Sequence, residues 1–463
     1  MFGIKKDLKI HFIGIGGIGM SGIAEVLVNL GYNVSGSDLN ENANIVSLRN
    51  KNIEIFKGHT EKNIKDVQIV VYSSAINYEN PEIKKALELK IPIIKRAEML
   101  AELMRLKYGI AIAGSHGKTT TTSFISTIFK NLDQKPTCIV GGVVKNLGGQ
   151  AVRGDSEFLI AEADESDGSF LFLNPIMSVI TNIDNDHLDY YKTEENIKKA
   201  FVEFSNKAPF YGCVAINGND KNSAELISNL RRPYLTYGLE SKDSFVDSLD
   251  YIARNVVHSE EYSKFDLVYE DKIIPVKITL SGDHNVQNAL AAIAISAKVG
   301  LNLEDICKAI EDFEGVSRRF ECLYKSENMI VIDDYGHHPT ELKATISTAQ
   351  AKYPDRKIIT VFEPHRFSRT KEHWSEFIEC FSTVDEVYIA PIYAASEEPI
   401  EYIDSEILVK KINDKYKNAF YIKSWDQLTE IFNANKDKKS VVLSMGAGSI
   451  SKTTRSKIEE WKS

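Results

Sequence analysis

Short β-branched runs alternate with stretches of helical length along the whole chain, and this alternation constrains the fold more than any other feature. "LKIHFIGIGG" leads into "MSGIAEVLVNLG", with "YNVSGSDL" and "VQIVVYSSAI" after it. "YGIAIAGSHGK" opens a second series, continued by "FLIAEAD", "MSVITNI" and "GCVAINGND". A third series runs through "MIVIDDYG", "KIITVFEP", "DEVYIAPI" and "SVVLSMGAG". Strands separated by helical crossovers build parallel sheets covered by helices. Many of these runs end on glycine or an acid. In open α/β sheets ligands sit beyond the carboxyl ends of the strands, so function is sought there.

At 463 residues the chain exceeds one ordinary core. The helix "RAEMLAELMRL" precedes a fresh strand at Tyr108, and the pattern restarts after "GVSRRFE". Three α/β domains in series are therefore expected, over 1–106, 107–318 and 319–463. Within the second, residues 232–280 read as less regular β structure, a peripheral insertion. "NVQNALAAIAISAKVG" reads as a helix stopped at Gly300.

Composition removes several classes. No apolar run reaches the ~18–20 residues that span a bilayer. The start "MFGIKKDLKIHFIG" lacks the apolar core of a signal peptide. Five scattered cysteines with no C-x-x-C pair argue against a disulfide framework or zinc knuckle and suit a reducing cytoplasm. The net charge is −9 with lysines dispersed among acids, so nucleic acid is not an expected partner.

In "AGSHGKTTTT" a strand meets a glycine turn and a Thr-rich helix start, as in a phosphate cradle. The common spacing G-x-x-x-x-G-K-[ST] would need glycine at 112, which is isoleucine; the nearest is Gly114. Gly114 and Gly117 permit the turn, Lys118 suits the β/γ-phosphates, and Thr119 offers a hydroxyl to Mg²⁺. Ser115, His116 and Thr120 complete the loop.

"GIGGIG" places Gly14, Gly16 and Gly19 at dinucleotide spacing, with Asp38 nineteen residues on. The turn fits NAD or another pyrophosphate such as that of a UDP-sugar, and spacing does not separate them. Acids at strand ends, "EADESD" with Glu162, Asp164, Glu165 and Asp167, and "DNDHLD" with His187, could converge on a divalent metal; alternatively they are solvated loops. "GDHNVQNA" offers Asn285 and Asn288 to a base edge, and "GVSRRFE" offers Arg319 to phosphate. "DDYGHHPTE" and "EPHRFSRT" place Asp334, Tyr335, His337, His365, Arg366 and Arg369 at strand ends suited to a small anion. The plainer reading of "HHP" is a polar turn stopped by Pro339.

Taken in order, "HFIGIGGIGMSGIAEVL", "GSHGKTTTT", "EADESD", "DHLDYY", "GDHNVQNALAAIA", "GVSRRFE", "DDYGHHPTE" and "EPHRFSRT" resemble the ATP-dependent Mur ligases of peptidoglycan synthesis, over roughly 360 residues. In that family the short loop Gly-x-x-Gly-Lys-Thr is the ATP loop. The first, Rossmann-like domain carries the UDP-sugar, the central P-loop ATPase-like domain carries ATP, and a third Rossmann-like α/β domain follows. The resemblance implies that ATP and Mg²⁺, or Mn²⁺, serve to join L-alanine to UDP-N-acetylmuramate in the cytoplasm.

On that implication Gly14, Gly16, Gly17, Gly19, Ser37, Asp38 and Ser74 meet the UDP-sugar. Thr119, Glu162 and His187 hold metal, and Asn285, Asn288, Arg319 and Asp334 complete the ATP site. Tyr335, His337, His365, Arg366 and Arg369 meet the amino acid, and Lys118, His187, His337 and Arg366 carry catalysis. Relatives that add later residues use a carbamylated lysine where this chain has Val202, which favours the alanine-adding branch. Three other readings compete: a recycling ligase for a tripeptide, an NAD-binding oxidoreductase or sensor, and a non-catalytic ATP switch.

Overall fold

The computed structural model describes residues 8–73, 76–144, 149–152, 154–259, 262–395 and 397–462. Two compact units divide the chain: one of residues 1–255, 265–278 and 285–314, the other of 256–264, 279–284 and 315–463.

The first unit begins with a five-stranded parallel sheet in the order Glu54–Lys57, Asn33–Asp38, Lys9–Ile13, Ile69–Tyr72, Ile93–Lys95. The strand order reverses beside Lys9–Ile13, so the glycine turn that follows it opens at a topological switch point. A ten-stranded sheet follows, ordered Lys272–Ile278, Ser263–Tyr269, Tyr251–His258, Tyr234–Leu239, Cys213–Asn217, Met177–Ile180, Tyr108–Ala113, Phe158–Glu162, Thr137–Val144, Gly149–Val152. The strand before the phosphate loop lies inside this sheet, paired with Met177–Ile180 on one side and Phe158–Glu162 on the other. Its residues Ile110 to Ala113 are fully buried, as a strand covered on both faces requires. One apolar cluster joins the two sheets, running from Ile10, Phe12 and Leu100 to Ala111, Leu159 and Phe204.

Residues 232–280, expected as less regular β structure in a peripheral insertion, are β but more regular than expected. They supply four regular strands that extend the central sheet. Tyr251–His258 buries only Tyr251 and Ala253 and is part-exposed or exposed along the rest, so it lacks the continuous apolar run by which the others were recognised.

The second unit is built on a six-stranded sheet in the order Glu321–Lys325, Met329–Asp334, Ser440–Met445, Lys357–Phe362, Glu386–Ile389, Ala419–Tyr421. Only Glu321–Lys325 pairs antiparallel. Apolar layers cover both faces, one including Phe362, Phe377 and Leu443 and the other Ile359, Val442 and Phe432. Pro339 starts the helix Pro339–Lys352 rather than stopping a turn, because proline's missing N–H costs nothing at a first helical position. No helix among the described residues is long and apolar enough to cross a membrane.

Candidate functional site

Gly114 has φ +136° and Gly117 φ +82°, values that bulkier residues rarely adopt. A Cβ on Gly114 would lie 2.0 Å from Thr181 Oγ1, and one on Gly117 2.5 Å from Asn288 Oδ1. The loop is therefore packed from two sides. The segment after Met177–Ile180 locks it: Ser115 N–H donates to Asn182 O (3.0 Å), and His116 N–H to Asn182 Oδ1 (2.9 Å). Thr181 Oγ1 and Asn182 Nδ2 both donate to His116 O. Gly117 is the N-cap of the helix Lys118–Asn131 and has no side chain to cap it, which leaves first-turn amides for an anion.

The Lys118 ammonium donates to Gly114 O (2.5 Å), Ser115 O (3.2 Å) and Glu165 Oε1 (2.7 Å). Burial would lower its pKa, but Glu165 outweighs this and the ammonium sits above its ordinary value. Burial pushes the Glu165 carboxyl up to about 7, Asp164 adds to the rise, and Lys118 only partly offsets it. Sequence reasoning placed Glu165 among acids that could meet a metal but did not pair it with Lys118; nothing in the spacing singles it out from Asp164 or Asp167. It missed Thr181 and Asn182 altogether.

Thr119 Oγ1 donates to Glu162 Oε2 at 3.2 Å, so two of the three expected metal ligands meet at the helix start. Glu165 Oε2 is buried with no hydrogen-bond partner among the described residues. These hard oxygen donors fit Mg²⁺, which takes few protein ligands and keeps several waters. His187, at φ +62°, brings Nε2 within 3.8 Å of Glu165 Oε1 and 3.4 Å of Asp186 Oδ2. Lys198 and Lys199, the lysines nearest Val202, pair with Glu194, Glu225 and Glu195. A cavity of about 1130 Å³ lies beside Lys198, Val202, Tyr234 and Asp250, and none of the expected site residues lines it. Asn285 and Asn288 are buried, and Asn288 Oδ1 accepts from Thr121 Oγ1 (3.2 Å), bracing the phosphate helix.

In the first sheet, Gly14 and Ile15 donate their amides to Ser37 O, and Gly17 N–H turns back to Gly14 O. Asp38 Oδ2 accepts from Gly16 N–H at 2.9 Å, so this acid reaches into the glycine turn. Arg96 lies across Gly19 and pairs with Asp164 at 3.2 Å, linking the turn's helix to the acidic loop. Ser74 lies outside the described residues.

In the second unit, Asp334 is nearly buried and accepts from Phe320 N–H, Gly336 N–H and Thr345 Oγ1. Burial raises its carboxyl pKa, with Arg319 and these amides opposing. Its carboxylate braces the loop that carries Tyr335 and His337. Arg318 and Arg319 both lie over the Tyr335 ring, at 4.6 and 5.3 Å. His337 sits 5.9 Å from His365 between ring centres, and His365 stacks on Tyr393 at 5.3 Å. Burial, then Arg369 and Arg366, push the His365 pKa down to about 4, so this imidazole is neutral at neutral pH. Arg366, at φ +72°, donates from Nε to Glu397 Oε1 (2.5 Å), and Glu397 also accepts from Ser368 N–H and Oγ. The unit thus gathers Tyr335, His337, His365, Arg366 and nearly buried Arg369 after two strands that flank Ser440–Met445. Glu397 and Tyr393 complete the group from a segment without sequence signal.

A phosphate loop at the start of a helix in a parallel sheet, with acids ending the adjacent strand, defines a nucleotide-dependent α/β enzyme. The chain belongs to the Mur ligase family: family models match as the catalytic domain over residues 9–108, the middle domain over 112–296 and the glutamate ligase domain over 318–448. The UDP-N-acetylmuramate–L-alanine ligase of Sulfurihydrogenibium sp. (strain YO3AOP1) is 46% identical over 445 residues, 96% of each chain. The ligase of the same name from Aquifex aeolicus (strain VF5) is 44% identical, covering 97% of this chain and 96% of its own. The crystal structure of the UDP-N-acetylmuramate–alanine ligase of Thermotoga maritima superimposes with a TM-score of 0.82 at 29% identity, covering 98% of this chain and 99% of that one.

Proposed function

We infer that this protein is an ATP-dependent ligase that joins L-alanine to the lactyl carboxylate of UDP-N-acetylmuramate, giving UDP-N-acetylmuramoyl-L-alanine, ADP and phosphate in peptidoglycan synthesis. The observation that carries this is likeness to ligases of that name along 96% of the chain, at 46% identity. A dehydrogenase reading of the glycine turn explains neither Lys118 nor the oxygen donors beside it.

The chemical task is to bring two anions together. The lactyl carboxylate attacks the ATP γ-phosphate, breaking its bond to the β-phosphate bridge oxygen, and ADP leaves. The alanine amine then adds to the acyl phosphate carbon, and the tetrahedral intermediate expels phosphate. Lys118 and the first-turn amides gather positive charge where negative charge develops. Thr119, Glu162 and His187 are assigned to a divalent cation, Mg²⁺ or Mn²⁺, which when bound screens the triphosphate from the incoming carboxylate. On nucleotide binding the ammonium exchanges Glu165 for phosphate, and a Glu165 carboxyl near neutrality can take a proton rather than stand bare.

Asn285 and Asn288 are assigned to adenine and Arg319 to phosphate. Asp334 would exchange one of its backbone partners for a ribose hydroxyl. Arg366 and Arg369 suit the alanine carboxylate as paired N–H donors. Neutral His365, beside His337 and Tyr335, can accept a hydrogen bond from the alanine ammonium without adding charge. Gly14, Gly16, Gly17, Gly19, Ser37, Asp38 and Ser74 are assigned to the UDP-sugar. The cytoplasm, where ATP is supplied, is the compartment proposed.

The test is phosphate release coupled to product mass, with Mg²⁺-ATP, UDP-N-acetylmuramate and either L-alanine or a tripeptide. Alanine-dependent phosphate and a product heavier by one alanyl residue are expected. Release with tripeptide alone would transfer the protein to recycling, and silence with both would refute the ligase reading.

A further inference from the structure

A fully buried carboxylate, Glu82, sits behind the glycine turn of the first sheet. It lies in the first turn of the helix Pro81–Glu88 and is far in sequence from every motif above. Its two oxygens meet four side chains. Oε2 accepts from Ser37 Oγ at 2.6 Å and lies 3.0 Å from His59 Nδ1; Oε1 accepts from Asn63 Nδ2 at 2.6 Å and lies 3.4 Å from His11 Nε2. His59 Nδ1 also contacts Ser37 Oγ at 2.9 Å, and His11 Nδ1 contacts Ser35 Oγ at 2.9 Å. A carboxylate offers about four lone-pair sites, and this one uses them on side chains from separate elements.

A core that needed only filling would hold an apolar residue here, because burying a charge with its partners rarely stabilises more than hydrophobic packing does. What the cluster does achieve is geometric. Ser37 is its pivot. The Ser37 carbonyl accepts the amides of Gly14 (2.8 Å) and Ile15 (3.0 Å), while its hydroxyl is held by Glu82. Asn63 also donates to Gly58 O, and Gly58 N–H donates to Asp38 O. Glu82 thereby ties together the turn after Lys9–Ile13, the end of Asn33–Asp38 and the loop after Glu54–Lys57. All three lie at the carboxyl edge, where the sheet's ligand belongs.

We propose that Glu82, acting through Ser37, His59 and Asn63, is a positioning residue that fixes the glycine turn and the adjoining loop in the shape that receives the nucleoside diphosphate of the sugar substrate. It touches no substrate. The inference rests on the assignment of this turn to the UDP-sugar.

Three variants of the full-length enzyme test it by separate KM and kcat determinations for each substrate. Glu82→Gln keeps the size of the side chain but replaces one acceptor by a donor that faces Ser37, His59 or Asn63. Asn63→Ala removes the donor that ties the loop after Glu54–Lys57 to Glu82, at a residue assigned no substrate contact, so it serves if Glu82→Gln fails to fold. Gly16→Ala perturbs the turn itself, its Cβ meeting Asp38 and Asn42 side-chain ends at 2.9 and 2.8 Å. Glu82→Gln and Asn63→Ala should each raise the KM for UDP-N-acetylmuramate about tenfold, the scale of a hydrogen bond to a charged group. The KM for ATP and for alanine, and kcat at saturation, should stay within about twofold, a split that a general loss of stability would not produce. If Gly16→Ala raises the sugar KM while Glu82→Gln and Asn63→Ala leave it unchanged, the turn holds the nucleotide and Glu82's role is refuted. If none of the three moves it while the wild type turns over, the assignment of the turn fails and takes this inference with it.

Discussion

Replacing Lys118 by methionine removes an ammonium and little volume, and the structure separates its consequences for stability from those for chemistry. In the free protein Lys118 faces Glu165 at 2.7 Å, with the two side chains 18% and 4% exposed. Removing one partner of such a buried pair costs on the order of 3 kcal/mol if the other must remain charged. Glu165 need not remain charged. Its pKa is already raised from 4.5 to about 7 by burial, and losing Lys118 raises it further. The folded state thus binds a proton in a pH range where the unfolded chain has released it. The stability this group contributes is fully present below about pH 4.5 and is lost as pH rises through about 7, by about 3 kcal/mol in all.

The variant should consequently be nearly as stable as wild type at pH 6 and clearly weaker at pH 8. Lys118→Met with Glu165→Gln should lose that pH dependence. Turnover should follow another pattern. At saturating Mg²⁺-ATP, kcat should fall at least ~100-fold in Lys118→Met and stay low in the double variant, since the charge stabiliser is absent from both. Melting curves at the two pH values and steady-state phosphate release make the measurement. A Lys118→Met enzyme turning over within tenfold of wild type would refute the chemical role, and equal pH dependence of stability in single and double variants would refute the pair.

Gly117→Ala forces a Cβ to within 2.5 Å of Asn288 Oδ1 at φ +82°, displacing Asn288 from Thr121; the KM for ATP should rise at least ~10-fold in steady-state assays while that for UDP-N-acetylmuramate holds. Glu162→Gln keeps an acceptor for Thr119 but loses the charge, and the Mg²⁺ concentration for half-maximal rate should rise about tenfold or more in a metal titration. Glu397→Ala removes the carboxylate that holds Arg366 Nε and Ser368, so the KM for alanine should rise about tenfold with the KM for ATP unchanged.

The alternation of apolar runs with helical stretches by itself determined parallel α/β sheets, because a strand covered on both faces must be apolar throughout. It also marked where ligands would lie, since glycine and acids punctuate strand ends. Gly114, Lys118 and Thr119 were legible as a turn because such a turn is a local structure made by consecutive residues, and Glu162 because it is an acid ending a strand. Residues 232–280 were legible as β structure, but tertiary structure alone decided that they extend the central sheet as four strands. It alone decided the partners of the local motifs. Glu165 beneath Lys118, Asn182 on the loop amides, Glu397 on Arg366 and Glu82 behind Ser37 are separated from what they hold by 30 to 70 residues. Each is an ordinary polar residue in the sequence. It acquires a role only when strand order brings it against a distant backbone or charged group.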